Sequence, residues 1–255
     1  RESNESRMTK PIRKRIAGVV ALLILMLMAT LVWVEPAIAA LSCPPCFGFE
    51  RLRNNVFVDR SMPASSRMQL ESAIAQARTT VESFYGGAAP DPVIVACWSD
   101  ECQHRLKTRA PAVSYGSYGI RLSPKGIDAV LLAHEFSHIE LHRRIGPRQF
   151  LFGDMPAWFD EGLAVVVSND SRYLLPEGTS GSRCREEAGT NLPVTGKDWI
   201  RSAGAENALY SRAACRVLMW MDANGGRTAV LSLVDRMAAG QRFSRLYADP
   251  KIAAH

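Results

Sequence analysis

At 255 residues, 47% of them hydrophobic and 22% charged, the chain can bury the core of one ordinary domain, which excludes global disorder. Its formal net charge of +6 does not point to nucleic acid: residues 1–39 hold six Lys or Arg against three Glu, half of that excess. The remaining charges are scattered rather than striped with aromatics, so no nucleic-acid partner is expected.

Lys10-Pro-Ile-Arg-Lys-Arg15 precedes Ile16–Val34, a run without a charged residue, and Pro36-Ala-Ile-Ala-Ala40 follows it. A basic start, an apolar middle and the small-residue Ala37-x-Ala39 exit read as an export signal. The apolar run has 19 residues, and at about 1.5 Å each they nearly cross a bilayer core, so an uncleaved anchor is the alternative. Either way the chain that follows lies outside the cytoplasm, periplasmic or otherwise extracytoplasmic, because the basic cluster stays inside. Residues 1–39 are therefore read as signal peptide or membrane anchor, 40–54 as a linker, and 55–255 as the domain.

Six cysteines stand at 43, 46, 97, 102, 184 and 215. In an exported chain they argue for disulfides. Proximity suggests Cys97–Cys102 and Cys184–Cys215, which leaves Cys43 with Cys46. Cys43-Pro-Pro-Cys46 has the spacing of a redox pair, but no strand-to-helix turn surrounds it, and a structural pair is expected.

Val56-Phe-Val58 reads as a short strand. Ser66–Tyr85 has apolar residues at helical spacing (Leu70, Ile74, Ala77, Val81, Phe84) and ends at Gly86-Gly87. Pro92–Cys97 reads as a buried strand and Ala112–Leu122 as one further strand at a sheet edge. Ser123-Pro124 predicts a helix N-cap with proline in the first turn. That helix runs through Leu131–Ile139 and stops at Gly146-Pro147. A second helix starts near Pro156 and carries Trp158–Val167. Residues 171–196, rich in Gly, Ser, Pro and Arg, read as loop, and helices follow near 205–222 and 227–239. Strands with a helix first and helices alone later imply an α+β domain.

The first helix carries His134-Glu-Phe-Ser-His138. Residues four apart share a helix face, so both imidazoles reach one zinc ion at about 2.0–2.1 Å. Glu135 lies about 100° around the helix, away from that shell but within reach of a water at the ion. Zinc acidifies water toward a pKa of about 7, and a carboxylate so placed takes the proton as that water attacks a carbonyl. Leu131, Leu132, Phe136 and Ile139 surround the motif, so the helix is expected to be buried, and His and Glu buried without partners would be costly. A third ligand is needed. Glu161, Asp160 and His142 compete. His142 lies two turns from His134, about 12 Å along the axis, too far for one ion. Asp160 and Glu161 are neighbours on the second helix, so only one is expected to face the histidines. Gly162 is expected to let that helix approach the first closely.

His134-Glu-x-x-His138 followed by Pro156-x-Trp-Phe-x-Glu161-Gly-Leu-Ala164 is similar to the gluzincin metallopeptidases, specifically the bacterial peptidase-MA-like domains, over roughly residues 55–245. The resemblance implies a zincin-like core of the thermolysin type, with a small mixed β-sheet and a helical C-terminal half. It implies Zn2+ held by His134, His138 and Glu161, and Glu135 as the base. It also implies an oxyanion-stabilising tyrosine on a later helix, where Tyr210 stands. The thermolysin-like branch has an Asp four residues after the ligand Glu. Val165 occupies that position here, so an outer carboxylate must come from elsewhere or be missing, and Asp160 points differently.

His142 otherwise reads as a solvated residue toward the helix end. Tyr115 and Tyr118 read as ordinary strand tyrosines, with contact to an extended substrate as the alternative. The expected function is hydrolysis of peptide bonds in a peptide or protein substrate. The alternatives are a catalytically idle binding or scaffold module of the same fold and a zinc hydrolase of a non-peptide amide.

Overall fold

Three consecutive buried residues at Val56, Phe57 and Val58 mark a strand covered on both faces, and the alternation of the neighbouring strands assigns each face its own core. The computed structural model describes residues 15–20, 22, 26, 30, 34–206 and 208–249. Its sheet contains β1 (Phe49–Arg53), β2 (Val56–Asp59), β3 (Val93–Ala96), β4 (Ala112–Tyr115) and β5 (Gly119–Leu122), in the order β1-β2-β3-β5-β4. The sheet is mixed: β2, β3 and β5 run parallel, and both outer strands pair antiparallel to their neighbours.

Val56, Val58, Ile94, Ala96, Ile120 and Leu122 face the main core. There they meet α2 (Ala64–Tyr85) and α4 (Ala129–Phe152). Phe57 and Val95 point the other way, to a smaller core closed by α1 (Pro36–Ser42) and α3 (Asp100–Arg105). Beyond the sheet lie α5 (Ala157–Ser168), α6 (Gly196–Ala203), α7 (Leu209–Asn224), α8 (Arg227–Ala238) and α9 (Phe243–Tyr247). This is the α+β arrangement expected, strands first and helices after.

Several boundaries differ from the sequence reading. Residues 40–54, read as linker, hold a 3-10 turn and strand β1. Ala37 and Ala39, read as a cleavage exit, sit in α1, where Ala37, Ala40 and Leu41 are buried. The apolar run Ile16–Val34 lies largely outside the described residues; among those described, no helix is long and apolar enough to cross a membrane. The single strand expected over 112–122 is a hairpin, because Gly116 turns the chain back at φ 57°. Ser123-Pro124 opens only a short 3-10 turn. The cap of α4 is Asp128, whose carboxylate accepts from the Val130 and Leu131 amides at 2.9 Å, satisfying donors that a helix start leaves free. At Gly146 the backbone of α4 leaves helical geometry (φ 78°, ψ 162°), as the Gly-Pro pair implied, and a final turn follows. Helices α3 and α6 were not foreseen.

Three disulfides close as the spacing suggested: Cys43–Cys46, Cys97–Cys102 and Cys184–Cys215. Such bonds suit an oxidising compartment. The helix that carries the histidines is locked to α2 by buried Glu140, which accepts from Arg143 at 2.8 Å and Arg144 at 2.6 Å. Arg144 in turn donates to the carbonyls of Tyr85 (3.0 Å) and Gly86 (2.9 Å) at the end of α2. Inside, the Tyr85 hydroxyl meets Ser137 Oγ at 3.2 Å, between the two histidines in sequence.

Candidate metal centre

Helix α4 is buried around its middle: Leu132, Phe136 and Ile139 fill the main core, while His134, Glu135 and His138 keep 8%, 8% and 6% of their surface exposed. Helix α5 crosses it and brings both carboxylates to the imidazoles. His134 Nε2 and His138 Nε2 lie 3.1 Å apart. Glu161 Oε2 stands 3.3 Å from the first and 3.7 Å from the second. A tetrahedral ion with bonds of about 2.0–2.1 Å separates its ligands by about 3.4 Å. The three donors thus form a triangle of the size zinc requires, and two imidazoles with a carboxylate are a donor set that zinc takes. These residues could hold a metal ion.

Asp160 corrects the sequence reading. The expectation was that only one of the adjacent acids could face the histidines, yet both do. Asp160 Oδ1 lies 2.6 Å from His138 Nδ1, and Oδ2 lies 2.8 Å from His142 Nε2. These are hydrogen-bond lengths, too short for two ligands of a common ion. So although His138, His142 and Asp160 also cluster, they form a relay and not a second metal site. His138 gives its Nδ1–H to Asp160 and thereby turns the Nε2 lone pair toward His134 and Glu161. An outer carboxylate of this kind fixes tautomer and ring orientation. Asp160, one residue before Glu161, thus places a carboxylate behind His138, where Val165 offers none. His142 is likewise not a solvated residue: it is 7% exposed and spans Asp160 and the Gly116 carbonyl, 3.2 Å from its Nδ1.

The electrostatics follow this geometry. Burial resists charge on Glu161, but the imidazoles of His134 and His138 outweigh it and hold its carboxyl at about 2. Burial is overcome in the same way at Asp160, where His138 and His142 hold the carboxyl well below the usual range. His138 answers in the opposite sense: burial disfavours its charged form, but the two carboxylates raise its pKa well above the ordinary value.

Tyr210 stands on the first turn of α7, its ring 6.2 Å from that of His134. Burial first, then the charges of Glu161 and Glu135, push its phenol well above the ordinary value. Two aromatic neighbours were missed in the sequence. Tyr173, inside the segment read as loop, stacks on Tyr210 with centroids 5.0 Å apart and planes at 23°. Trp199 of α6 stands edge-on to it at 5.1 Å and 89°. A Thr195-x-x-Asp198 capping pattern could have revealed α6, since the Thr195 hydroxyl accepts from the Asp198 amide at 3.2 Å. Nothing in the sequence marks Tyr173.

Tyr115 packs against the smaller core and Tyr118 donates to the Leu41 carbonyl at 3.2 Å. Both serve the seat of α1. A cavity of about 280 Å³ lies behind the relay, lined by His142, Asp160, Phe150, Met155 and Val194. A second cavity, about 730 Å³, sits at the Gly146 break and the end of α8, and none of the candidate ligands lines it. No family model matches the sequence, and no curated protein is detectably similar to it.

Proposed function

We propose that the chain is a zinc-dependent peptidase on a zincin-like core, acting on peptides or proteins outside the cytoplasm. The observation that carries this reading is the triangle of His134 Nε2, His138 Nε2 and Glu161 Oε2 at 3.1–3.7 Å, with a proton acceptor and a phenol beside it. Bound there, zinc would polarise a carbonyl and acidify water. The protein's own residues supply the rest. Glu135 takes a proton from the attacking water and returns it to the leaving amine. Tyr210 donates its hydroxyl hydrogen to the carbonyl oxygen as charge gathers on it. Asp160 holds His138 in the tautomer that presents Nε2. The three disulfides support an extracytoplasmic site of action, and the burial of Pro36–Leu41 favours an N-terminal segment retained as an anchor over one cleaved after Ala39.

The test is Glu135→Gln, which keeps the shape and removes the acceptor. Peptide-library cleavage should fall at least about 100-fold while zinc content stays the same. Turnover close to the wild-type rate in this variant would overturn the mechanism.

A further inference from the structure

Trp199 is 2% exposed, and its indole Nε1 finds no hydrogen-bond partner among the described residues. Buried donors left without an acceptor are rare enough to require a reason. The indole stands edge-on to the Tyr210 ring at 5.1 Å. Its N–H lies near enough to the phenol oxygen to favour the ionised form against burial, yet the two do not meet at hydrogen-bonding geometry. Tyr173 stacks on Tyr210 and is itself covered by the Arg172 guanidinium 5.1 Å from its ring centre. Arg172 is tied to the buried carboxylate of Asp170. The Tyr210 ring is thus held between a stacked and a perpendicular aromatic, with His134 along its edge.

We infer that Trp199 is a positioning residue for Tyr210, its indole N–H donating to the Tyr210 oxygen when that hydroxyl turns to donate to a substrate oxygen. The physical reason is cooperativity. A hydroxyl that accepts a hydrogen bond becomes a better donor, and the effect is larger in a dry site. Through the chain N–H to O–H to carbonyl oxygen, the indole strengthens the one interaction that grows as the carbonyl gains negative charge. The unmet donor of the free protein is then held ready for the transition state. Tyr173 contributes by stacking alone, since no hydrogen bond of its hydroxyl enters the arrangement. The inference rests on the peptidase reading.

Two measurements on the full chain test it. In the first, Trp199→Phe keeps an aromatic ring and removes the N–H. Its kcat should fall about tenfold with KM within about twofold and zinc content unchanged. In a Tyr210→Phe background the same substitution should cost nothing further, because the two residues act as a unit. In the second, which needs no Trp199 variant, the protein is labelled with 15N at its indole nitrogens and a phosphonate peptide serves as the tetrahedral probe. One indole N–H resonance should move downfield on binding in the wild type and stay in place in Tyr210→Phe. Equal losses from Trp199→Phe in both backgrounds, or no indole response although the probe binds and peptides are cleaved, would overturn the inference alone. Failure of the probe to bind, with no peptide cleaved by the wild type, would overturn the peptidase reading and this inference with it.

Discussion

Asp160→Asn separates the two neighbouring carboxylates by their roles. The variant keeps the shape of the side chain but removes its charge. His138 Nδ1–H then exchanges an ionised acceptor at 2.6 Å for a neutral amide oxygen. Hydrogen bonds to an ionised partner are roughly twice as strong as neutral ones. Loss of an outer partner of a metal-binding histidine typically costs 10–100-fold in metal affinity, or about 1.4–2.7 kcal/mol at 1.36 kcal/mol per tenfold. Asp160→Asn should therefore bind zinc stoichiometrically but yield it to a chelator at about 10–100-fold lower chelator concentration. His142→Ala touches the ion only through Asp160 and should cost less than about tenfold. Glu161→Ala removes one corner of the donor triangle and should lose the metal on dialysis. Chelator competition with elemental analysis on the three purified variants measures all of this. The reasoning fails if Glu161→Ala holds zinc tightly, or if Asp160→Asn binds it as well as the wild type.

Three further outcomes are expected. Gly162→Ala places a Cβ 2.7 Å from the backbone of Ala213, so stability should drop by about 1–3 kcal/mol; an unchanged urea midpoint would contradict the packing. Cys184–Cys215 closes a loop with a sequence separation of 31, and replacing both cysteines with Ser should cost about 3–4 kcal/mol by chain entropy, read from denaturant curves, while a cost near zero would mean that the loop is pinned by other contacts. At Asp59 burial is outweighed by hydrogen bonds from Ser99 and Ser61, which hold its carboxyl well below the usual carboxylate range. A depressed folded value gives stability that is present above the unfolded pKa and lost as pH falls. Asp59→Asn should therefore lower stability by about 1 kcal/mol at pH 7 after solvent screening, and the gap should narrow in melts below about pH 4.

The sequence made the candidate histidine ligands legible because their spacing is a local property. His134 and His138 are four apart on one helix, and any amphipathic reading aligns them. Glu161 needed a resemblance to be chosen over Asp160. Their actual division of labour was illegible because it depends on how α5 crosses α4: both acids can face the same histidine only if one meets Nδ1 and the other Nε2. His142 was misread for a related reason. It lies one turn before the break at Gly146, where exposure is usual, but the β4–β5 hairpin supplies the Gly116 carbonyl that covers it. The strand at 112–122 concealed a hairpin because its turn residues, Gly116-Ser-Tyr118, sit within an otherwise β-like run. Tyr173 and Trp199 reach the site from 171–199, where no periodicity exists to read.

Gly162 shows how the site is assembled from these pieces. It was expected to bring α5 close to the histidine helix, and it serves a different contact. A Cβ there would collide with the carbonyl carbon and oxygen of Ala213, both at 2.7 Å, and lie 3.0 Å from Val217 Cγ2, all on α7. The missing side chain therefore sets the spacing between α5 and α7. Glu161 is the residue before Gly162, and Tyr210 is one turn before Ala213. The same close approach that packs the two helices thus fixes the distance between the ligand carboxylate and the phenol. On the opposite side of α5, Asp160 and Glu161 meet α4. One short helix, apolar around most of its surface, accordingly carries both the metal-facing acid and its outer partner. Its single glycine allows α7 to hold Tyr210 over them. A larger residue at 162 would leave every candidate ligand in the chain and still push α7, with Tyr210, away from His134 and Glu161.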